Sequence, residues 1–186
     1  MKRALAIVSL MIATSSASAL DIAGIKLPDA YPSAGQQLAL NGAGIREKWM
    51  FDLYVGGLYL QSPNKDAKTV VAADENQSIR LHIISDKITS ERMISATTEG
   101  FEKSLDGKMA PLQSQIDDFI ATFKEPIKVG DYFDLTYVKG EGVHVAKNGK
   151  DVKTIAGLDF KKALYGIWLS ENPVQESLKE KMMGAK

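Results

Sequence analysis

The sequence predicts an α+β fold in which an antiparallel sheet has its helices packed on one face. Predicted elements come in blocks of strands, helices, strands and helices again. Two amphipathic helices follow one another directly, which implies that both lie on the same apolar surface. Asn148-Gly149 separates two strand-like segments and is a strong hairpin signal, because a type I′ turn needs positive φ at both central positions. A register centred on this turn pairs Val145 with Val152.

Strands are predicted along the first half of the chain. Residues 38–60 are rich in Leu, Val, Phe, Tyr and Trp without helix caps, and we interpret them as two strands. Residues 78–85 alternate apolar and polar side chains from Ile79 to Ile83, which is typical of a strand with one buried face. Residues 20–33 contain two prolines and predict a short strand or hairpin.

Helices are predicted mainly where apolar residues recur three or four positions apart. They fall within residues 64–75, 89–105, 110–126, 159–169 and 174–184. Thr89 or Ser90 can cap the second of these helices, because a hydroxyl accepts from the free N–H groups of a first turn. Gly184 is a suitable C-cap for the last helix.

The first nineteen residues predict a signal peptide rather than part of the fold. Lys2 and Arg3 precede an apolar run over residues 4–13, too short to span a bilayer, and residues 17–19 (Ala-Ser-Ala) form a cleavage site. We therefore expect a single domain over residues 20–186. Since the chain has no cysteine, it lacks a disulfide framework, and the combination suits a bacterial periplasm. No later segment is long enough for a membrane helix, so we expect no membrane span in the mature chain.

The composition excludes several classes of protein. The chain has 23 basic and 23 acidic residues, and removal of Lys2 and Arg3 gives a mature net charge of −2. Basic residues are spread along the sequence without a dense block, which argues against nucleic acid and against an anionic membrane surface. The two histidines lack zinc-ligand spacing, and no dinucleotide or P-loop fingerprint occurs. We expect neither a metal nor another cofactor.

Arg46 is the residue of most chemical interest. A guanidinium presents a rigid fork of donors that suits a carboxylate or another oxyanion. The glycines just before Arg46 would let the backbone pass close to another strand or to a ligand. The hydroxyl of Tyr54 or Tyr59 would complete a polar end to an otherwise apolar pocket. The alternative is that Arg46 pairs with a surface acid such as Glu47 or Asp52.

Three stretches together resemble the chalcone isomerase-like family, in its bacterial exported branch. They are "LNGAGIREKWMFDLYVGGLYL", "GDYFDLTYVKGEGVHVAKNGKDVKTIAG" and "DFKKALYGIWLSENPVQESLKEKMMG". The resemblance extends over residues 38–184 and depends on the order and spacing of the motifs. It implies an open-faced β-sandwich, in which helices wrap a large antiparallel sheet and a ligand cleft lies between sheet and helices.

The true isomerases of the family have a set of polar site residues, and this sequence matches that set only in part. Those enzymes use an arginine to position the reacting oxygens, assisted by threonine, tyrosine and asparagine. The arginine corresponds to Arg46, whereas the threonine position falls at Tyr54. The tyrosine and asparagine positions fall at Thr89 and Ala96, and a last polar position falls near Ile167. A site with one of its polar groups left is a poor candidate for the chalcone cyclisation.

Other members of the family are similar in fold and bind fatty acids without catalysis. In these proteins an arginine and a tyrosine thirteen residues later hold the carboxylate, and Arg46 and Tyr59 have that spacing here. The resemblance then implies an acyl tail against apolar side chains of the cleft. The candidates are Met93, Phe101, Phe119, Phe123 and Trp168.

Three functional hypotheses remain open on the sequence. The first is a non-catalytic periplasmic protein that binds a small amphipathic acid, such as a fatty acid. The second is an isomerase or intramolecular lyase with Arg46 as electrophilic catalyst and Tyr54 or Tyr59 as proton donor. The third is a structural or partner-binding exported domain whose cleft is filled by side chains. An open apolar cleft with Arg46 and a tyrosine at its polar end would fit the first two hypotheses.

Overall fold

A seven-stranded antiparallel sheet organises the computed structural model, which describes residues 19–185. The strands are β1 (Ala19–Ile22), β2 (Ile25–Pro28), β3 (Ala30–Ser33), β4 (Gln36–Lys48), β5 (Phe51–Leu60), β6 (Gln77–Ile83), β7 (Tyr132–Val138), β8 (Gly142–Lys147) and β9 (Lys150–Ile155). Strands β3 to β9 pair in chain order, whereas β1 and β2 form a separate hairpin. Apart from its last residue, Ala19, the predicted signal peptide lies outside the described residues.

Five α-helices accompany the sheet in the described part of the chain. They are α1 (Ala67–Ala72), α2 (Ser90–Ser104), α3 (Gln113–Ile120), α4 (Leu158–Leu169) and α5 (Glu176–Met182). Short 3₁₀ turns at Ala110–Leu112 and Ala121–Phe123 flank α3. The Thr89 side chain accepts a hydrogen bond from the backbone N–H of Arg92, which confirms the predicted cap of α2. Over residues 19–185, every helix is too short or too polar to cross a membrane.

The two faces of the sheet are covered differently. Apolar side chains of one face, including Ile79 and Ile83, are fully buried in a large core with the helices. The opposite face holds a smaller core of Leu27, Ala43 and Val55, in which Leu27 belongs to β2. The large core is the main source of stability because burying apolar surface is the dominant favourable term in folding. The predicted α+β arrangement, with helices on one face of an antiparallel sheet, is confirmed.

The β8–β9 hairpin has the predicted turn but not the predicted register. Asn148 and Gly149 have φ of 53° and 75°, as a type I′ turn requires. Val145 pairs with Lys153 rather than with Val152, because a β-bulge interrupts the ladder two pairs from the turn. Val152 is the extra residue of the bulge, and its side chain is 48% exposed.

The glycines that precede Arg46 allow a helix to lie directly on β4. A Cβ atom added at Gly42 would overlap the backbone carbonyl of Lys181, and one added at Gly44 would lie 2.8 Å from the Lys181 Cβ. The close approach is therefore between β4 and α5 rather than between β4 and a ligand. This contact brings Gln175, the N-cap residue of α5, beside Arg46.

Candidate functional site

A cavity of about 700 Å³ lies between the sheet and the helices. Its inner wall is apolar and comes from β6, α2, the region of α3 and α4. The wall residues are Leu81, Met93, Phe119, Phe123, Ile167 and Trp168. Exposed side chains also line the cavity, among them Trp49 of the β4–β5 turn and Ala96 of α2, so it reaches the molecular surface. The structure thus contains an open cleft with an apolar interior.

Basic residues surround the open part of the cavity. Within the described chain its lining includes one acidic residue, Glu99, and five basic residues, namely Arg46, Lys48, Lys87, Arg92 and Lys103. Charges of one sign in a cleft raise the local concentration of oppositely charged ligands. The lining therefore favours an anion at the mouth and an apolar group inside.

Arg46 lies on β4 directly opposite Tyr54 of β5. Its Nη1 donates a hydrogen bond of 3.0 Å to Gln175 Oε1 and another to the Glu47 carbonyl oxygen. Gln175 Oε1 also accepts from the Glu47 backbone N–H at 2.8 Å, so the helix fixes the end of the strand. Among residues 19–185 no carboxylate forms an ion pair with Arg46, and the alternative pairing with Glu47 or Asp52 is not formed.

Tyr54 presents a neutral hydroxyl beside Arg46. Trp168 Nε1 donates a hydrogen bond of 2.8 Å to the Tyr54 oxygen. Because an indole N–H can only donate, the Tyr54 oxygen is the acceptor and its own proton remains available. Burial raises the pKa of Tyr54, although the Trp168 hydrogen bond and the Arg46 charge oppose the increase. The phenol is therefore a hydrogen-bond donor at neutral pH.

The other positions implied by the family resemblance differ in whether they reach the cavity. Met93 and Ala96 line the cavity from α2, and Ile167 lines it from α4. Thr89 lies outside the lining, where its hydroxyl caps α2 and donates to the Glu91 carboxylate. Of the positions where the isomerases carry polar groups, the cavity thus receives polar side chains only from Arg46 and Tyr54.

Four of the five predicted tail contacts line the cavity, as named above. The fifth, Phe101, is fully buried in the core, where its ring packs against those of Phe119 and Phe160 at centroid distances of 6.0 and 5.9 Å. It supports the wall from behind. Within the described chain no group of three or more metal-ligating side chains occurs.

Tyr59 lies on the other face of the sheet and does not join Arg46. Side chains of a strand alternate between faces, and Tyr54 and Tyr59 are five positions apart. Tyr59 pairs with Ser78 and packs its ring 5.4 Å from that of Tyr31. Its hydroxyl is buried without a hydrogen-bond partner in the described residues, and burial raises its pKa to about 12. Of the two tyrosines predicted beside Arg46, Tyr54 therefore shares its face of the sheet and Tyr59 does not.

The sequence did not indicate the hydrogen-bonding roles of two site residues. Gln175 orients Arg46, and Trp168 is a hydrogen-bond donor to Tyr54 as well as part of the wall. Both contacts join residues more than a hundred positions apart, so no local pattern indicates them. The only available signal was Gln175 at the beginning of a predicted helix that follows the Trp168 helix directly.

The fold and the cleft define a class of protein: an antiparallel sheet covered by helices that enclose an apolar cavity with a basic mouth. The chain belongs to the chalcone isomerase-like family, which matches residues 19–184. Among solved structures it is similar to a fatty-acid binding protein of Arabidopsis thaliana, with 20% identity and a TM-score of 0.68. The match covers 86% of this chain and 92% of that one. A search of curated protein sequences gave no match.

Proposed function

We propose that this protein is an exported, non-catalytic carrier of a small amphipathic acid, such as a fatty acid. The observation that carries the proposal is the cavity, whose interior is apolar and whose polar end holds Arg46, an arginine without a carboxylate partner in residues 19–185. A cavity of about 700 Å³ also falls within the usual range for small-molecule sites. The structural likeness to a fatty-acid binding protein supports the same ligand class.

The carboxylate would bind between Arg46 and Tyr54. Gln175 holds Arg46 Nη1, which restricts the guanidinium and leaves its other N–H groups for an anion. Tyr54 adds a neutral O–H donor whose oxygen is already oriented by Trp168. A charge-assisted pair of this kind is stronger in a partly dry cleft than in water. The alkyl tail would lie along Met93 and the other apolar wall residues.

Export is the second part of the proposal. The charged start, apolar run and small-residue site of residues 1–19 support removal of a signal peptide, and the family match begins at Ala19. Expression of the full sequence in a Gram-negative host, followed by fractionation, tests this part. We expect the protein in the periplasmic fraction with an intact mass that lacks the first nineteen residues. A full-length product in the cytosol would contradict export.

Ligand binding is tested by native mass spectrometry of protein purified from that compartment, followed by organic extraction. We expect a stoichiometric amphipathic acid in the wild type and its loss in Arg46→Ala. The matched control is Lys150→Ala, which removes an exposed positive charge on β9, outside the cavity. An equal loss in both variants, or ligand-free protein that also fails to bind added fatty acid, would contradict the carrier function.

The isomerase alternative shares Arg46 and Tyr54 but lacks further support from the cavity. Where the resemblance implies other polar groups, α2 and α4 present Ala96 and Ile167. Incubation with a chalcone and detection of the cyclised product tests this alternative. Turnover that disappears in Arg46→Ala would replace the carrier function by catalysis.

A further inference from the structure

Three consecutive apolar side chains are exposed where β4 turns into β5. Trp49 is 90% exposed, Met50 is 92% exposed and Phe51 is 46% exposed, and we call these three residues the hairpin tip. They are half of the six large apolar side chains exposed in the described residues, so they form a cluster rather than normal scatter. Trp49 also has a φ of 66°, a left-handed conformation that is rare for a bulky residue.

The hairpin tip lies at the mouth of the cavity. Trp49 and Phe51 line the cavity together with Lys48 and Lys87. The ammonium group of Lys87 lies 5.6 Å from the centre of the Phe51 ring, over its face. The mouth therefore has two aromatic side chains, Trp49 and Phe51, with the positive charges of lysines beside them.

Acidic residues are also present near the hairpin tip. Glu47 and Asp52 flank it along the chain, and Asp86 lies 3.3 Å from Lys87. The residues that line the mouth itself are nevertheless five basic to one acidic. The spread of basic residues along the sequence argued against an anionic membrane surface. The fold nevertheless brings Lys48, Lys87 and Lys103 together from separate elements.

The shape of the hairpin tip determines which kind of partner suits it. A stable protein interface buries roughly 800 Å² on each partner and involves about 20–30 residues a side. Three residues at a turn present too little surface for that. A lipid bilayer can instead surround a projecting tip, and Trp is enriched at the membrane–water interface, where its ring is buried and its N–H stays hydrated. Lysines beside such a tip attract anionic headgroups.

We propose that the hairpin tip inserts into the interface of an anionic phospholipid bilayer. Trp49 and Met50 enter the boundary between headgroups and acyl chains, and Lys48 and Lys87 contact lipid phosphates. The mouth of the cavity then faces the membrane, where an amphipathic acid can pass between lipid and protein. Docking itself is independent of the ligand, so it goes beyond the carrier function and can fail or succeed separately.

Vesicle flotation of the mature protein tests the proposal. The probes are vesicles of phosphatidylcholine and phosphatidylglycerol at roughly 7:3, and vesicles of phosphatidylcholine alone. We expect flotation with the anionic vesicles, less with the neutral ones, and a reduction when salt is raised from about 50 to about 500 mM. The wild type should also show a blue shift of tryptophan emission, since Trp49 is exposed whereas Trp168 is only 5% exposed.

Two variants and a control separate the possible outcomes. Trp49→Ser/Met50→Ser should reduce the vesicle partition coefficient by about ten-fold or more and abolish the blue shift. Met50→Asp should weaken flotation while fatty-acid binding stays unchanged, because Met50 does not line the cavity. Val152→Ser removes an exposed apolar side chain of β9 and should float like the wild type. Unchanged flotation of the double variant, no flotation of the wild type, or a dimer that depends on the tip would overturn membrane docking.

Discussion

Tyr54 and Tyr59 place chemically identical groups in two different environments on one strand. Tyr54 faces the helices and receives a hydrogen bond from Trp168, whereas the Tyr59 hydroxyl is buried on the opposite face without a partner in the described chain. A buried hydroxyl without a partner destabilises the folded protein. A hydroxyl that donates a hydrogen bond to a charged ligand strengthens binding of that ligand. The two tyrosines therefore differ in what removal of the oxygen does.

We expect Tyr59→Phe to increase the free energy of unfolding by up to about 1 kcal/mol, because it removes an unpaired polar atom from the interior. Fatty-acid affinity should not change. Tyr54→Phe should instead weaken the affinity by about 10-fold or more, since it removes a donor to the carboxylate. Urea unfolding and fluorescence titration with a fatty acid measure the two effects. Loss of affinity in Tyr59→Phe rather than in Tyr54→Phe would contradict the assignment.

At this scale the sequence predicted Arg46 as the centre of the site with Tyr54 or Tyr59 beside it, and of these two tyrosines the structure places Tyr54 on the same face as Arg46. Residue type and spacing indicate which groups can bind an oxyanion. They do not indicate which face of a strand each group occupies, because the bulge between Arg46 and Glu47 changes the register of β4 against β5.

Among the elements, α5 links the packing of the fold to the geometry of the site. It lies against β4 where two glycines leave room, and its N-terminal Gln175 holds Arg46. We expect Gly42→Ala to lower the free energy of unfolding by about 1–3 kcal/mol, since the added methyl group overlaps backbone rather than a flexible side chain. It should also weaken ligand binding, because displacement of α5 moves Gln175.

Gly56→Ala is the matched control for that substitution. Gly56 faces the same helix, but a Cβ added there would lie 3.6 Å from Leu178, which is ordinary van der Waals contact. We expect near-normal stability and ligand affinity in this variant, measured by urea unfolding and titration. Equal destabilisation by both substitutions would show that β4 and β5 resist any added methyl group, independently of α5.

Lys161 of α4 fixes the end of α1 from inside the core. Its ammonium group is fully buried and donates hydrogen bonds of 2.8–3.0 Å to the backbone carbonyls of Val70, Val71 and Ala73. A cation at a helix C-terminus is favourable and satisfies carbonyls that the helix leaves free. We expect Lys161→Met to lower the free energy of unfolding at neutral pH by about 1–3 kcal/mol, because these acceptors lose their donor.

The same lysine should make stability depend on pH. Burial lowers the pKa of Lys161 from 10.5 to about 8. Between these two values the unfolded state binds more protons than the folded state, so this group's contribution to stability increases as the pH rises through the window. It is lost again as the pH falls through 8. The difference in free energy of unfolding between wild type and Lys161→Met, measured by urea titration at several pH values, should grow from pH 8 to 10 and stay constant from pH 6 to 7.

The elements themselves were largely predictable, since helix caps, apolar periodicity and the Asn148-Gly149 turn are local properties. The bulge at Val152 was not predictable from the alternation of the strand, because it arises where two strands meet. The buried position of Lys161 was not predictable either. A lysine next to an apolar stripe usually extends to solvent, and only the position of α1 turns it inward.

For the whole molecule, the order of the strands follows from their order in the chain, and this is why the fold class could be predicted. Every strand of the large sheet pairs with its sequence neighbour, and the two longer connections, between β5 and β6 and between β6 and β7, contain helices α1, α2 and α3. The arrangement of the site residues does not follow from the order of the strands. Arg46, Tyr54, Trp168 and Gln175 come together only when the last two helices cover the first long hairpin.

Ligand occupancy should therefore stabilise the molecule as a unit. The proposed ligand site needs β4, β5, α2 and α4, so the ligand would bind the folded state and not the unfolded state. Such a ligand raises the free energy of unfolding by RT ln(1 + [L]/Kd). A fatty acid at 100 times its Kd should raise the free energy of unfolding by about 2.7 kcal/mol. We expect a corresponding rise in Tm by differential scanning fluorimetry, and at the same ligand concentration a smaller rise in Arg46→Ala. A matched alkyl alcohol should stabilise less than the acid, because it cannot form the ion pair with Arg46. Equal stabilisation by alcohol and acid would show that the tail alone binds, and an unchanged Tm with every ligand would favour a structural domain over a carrier.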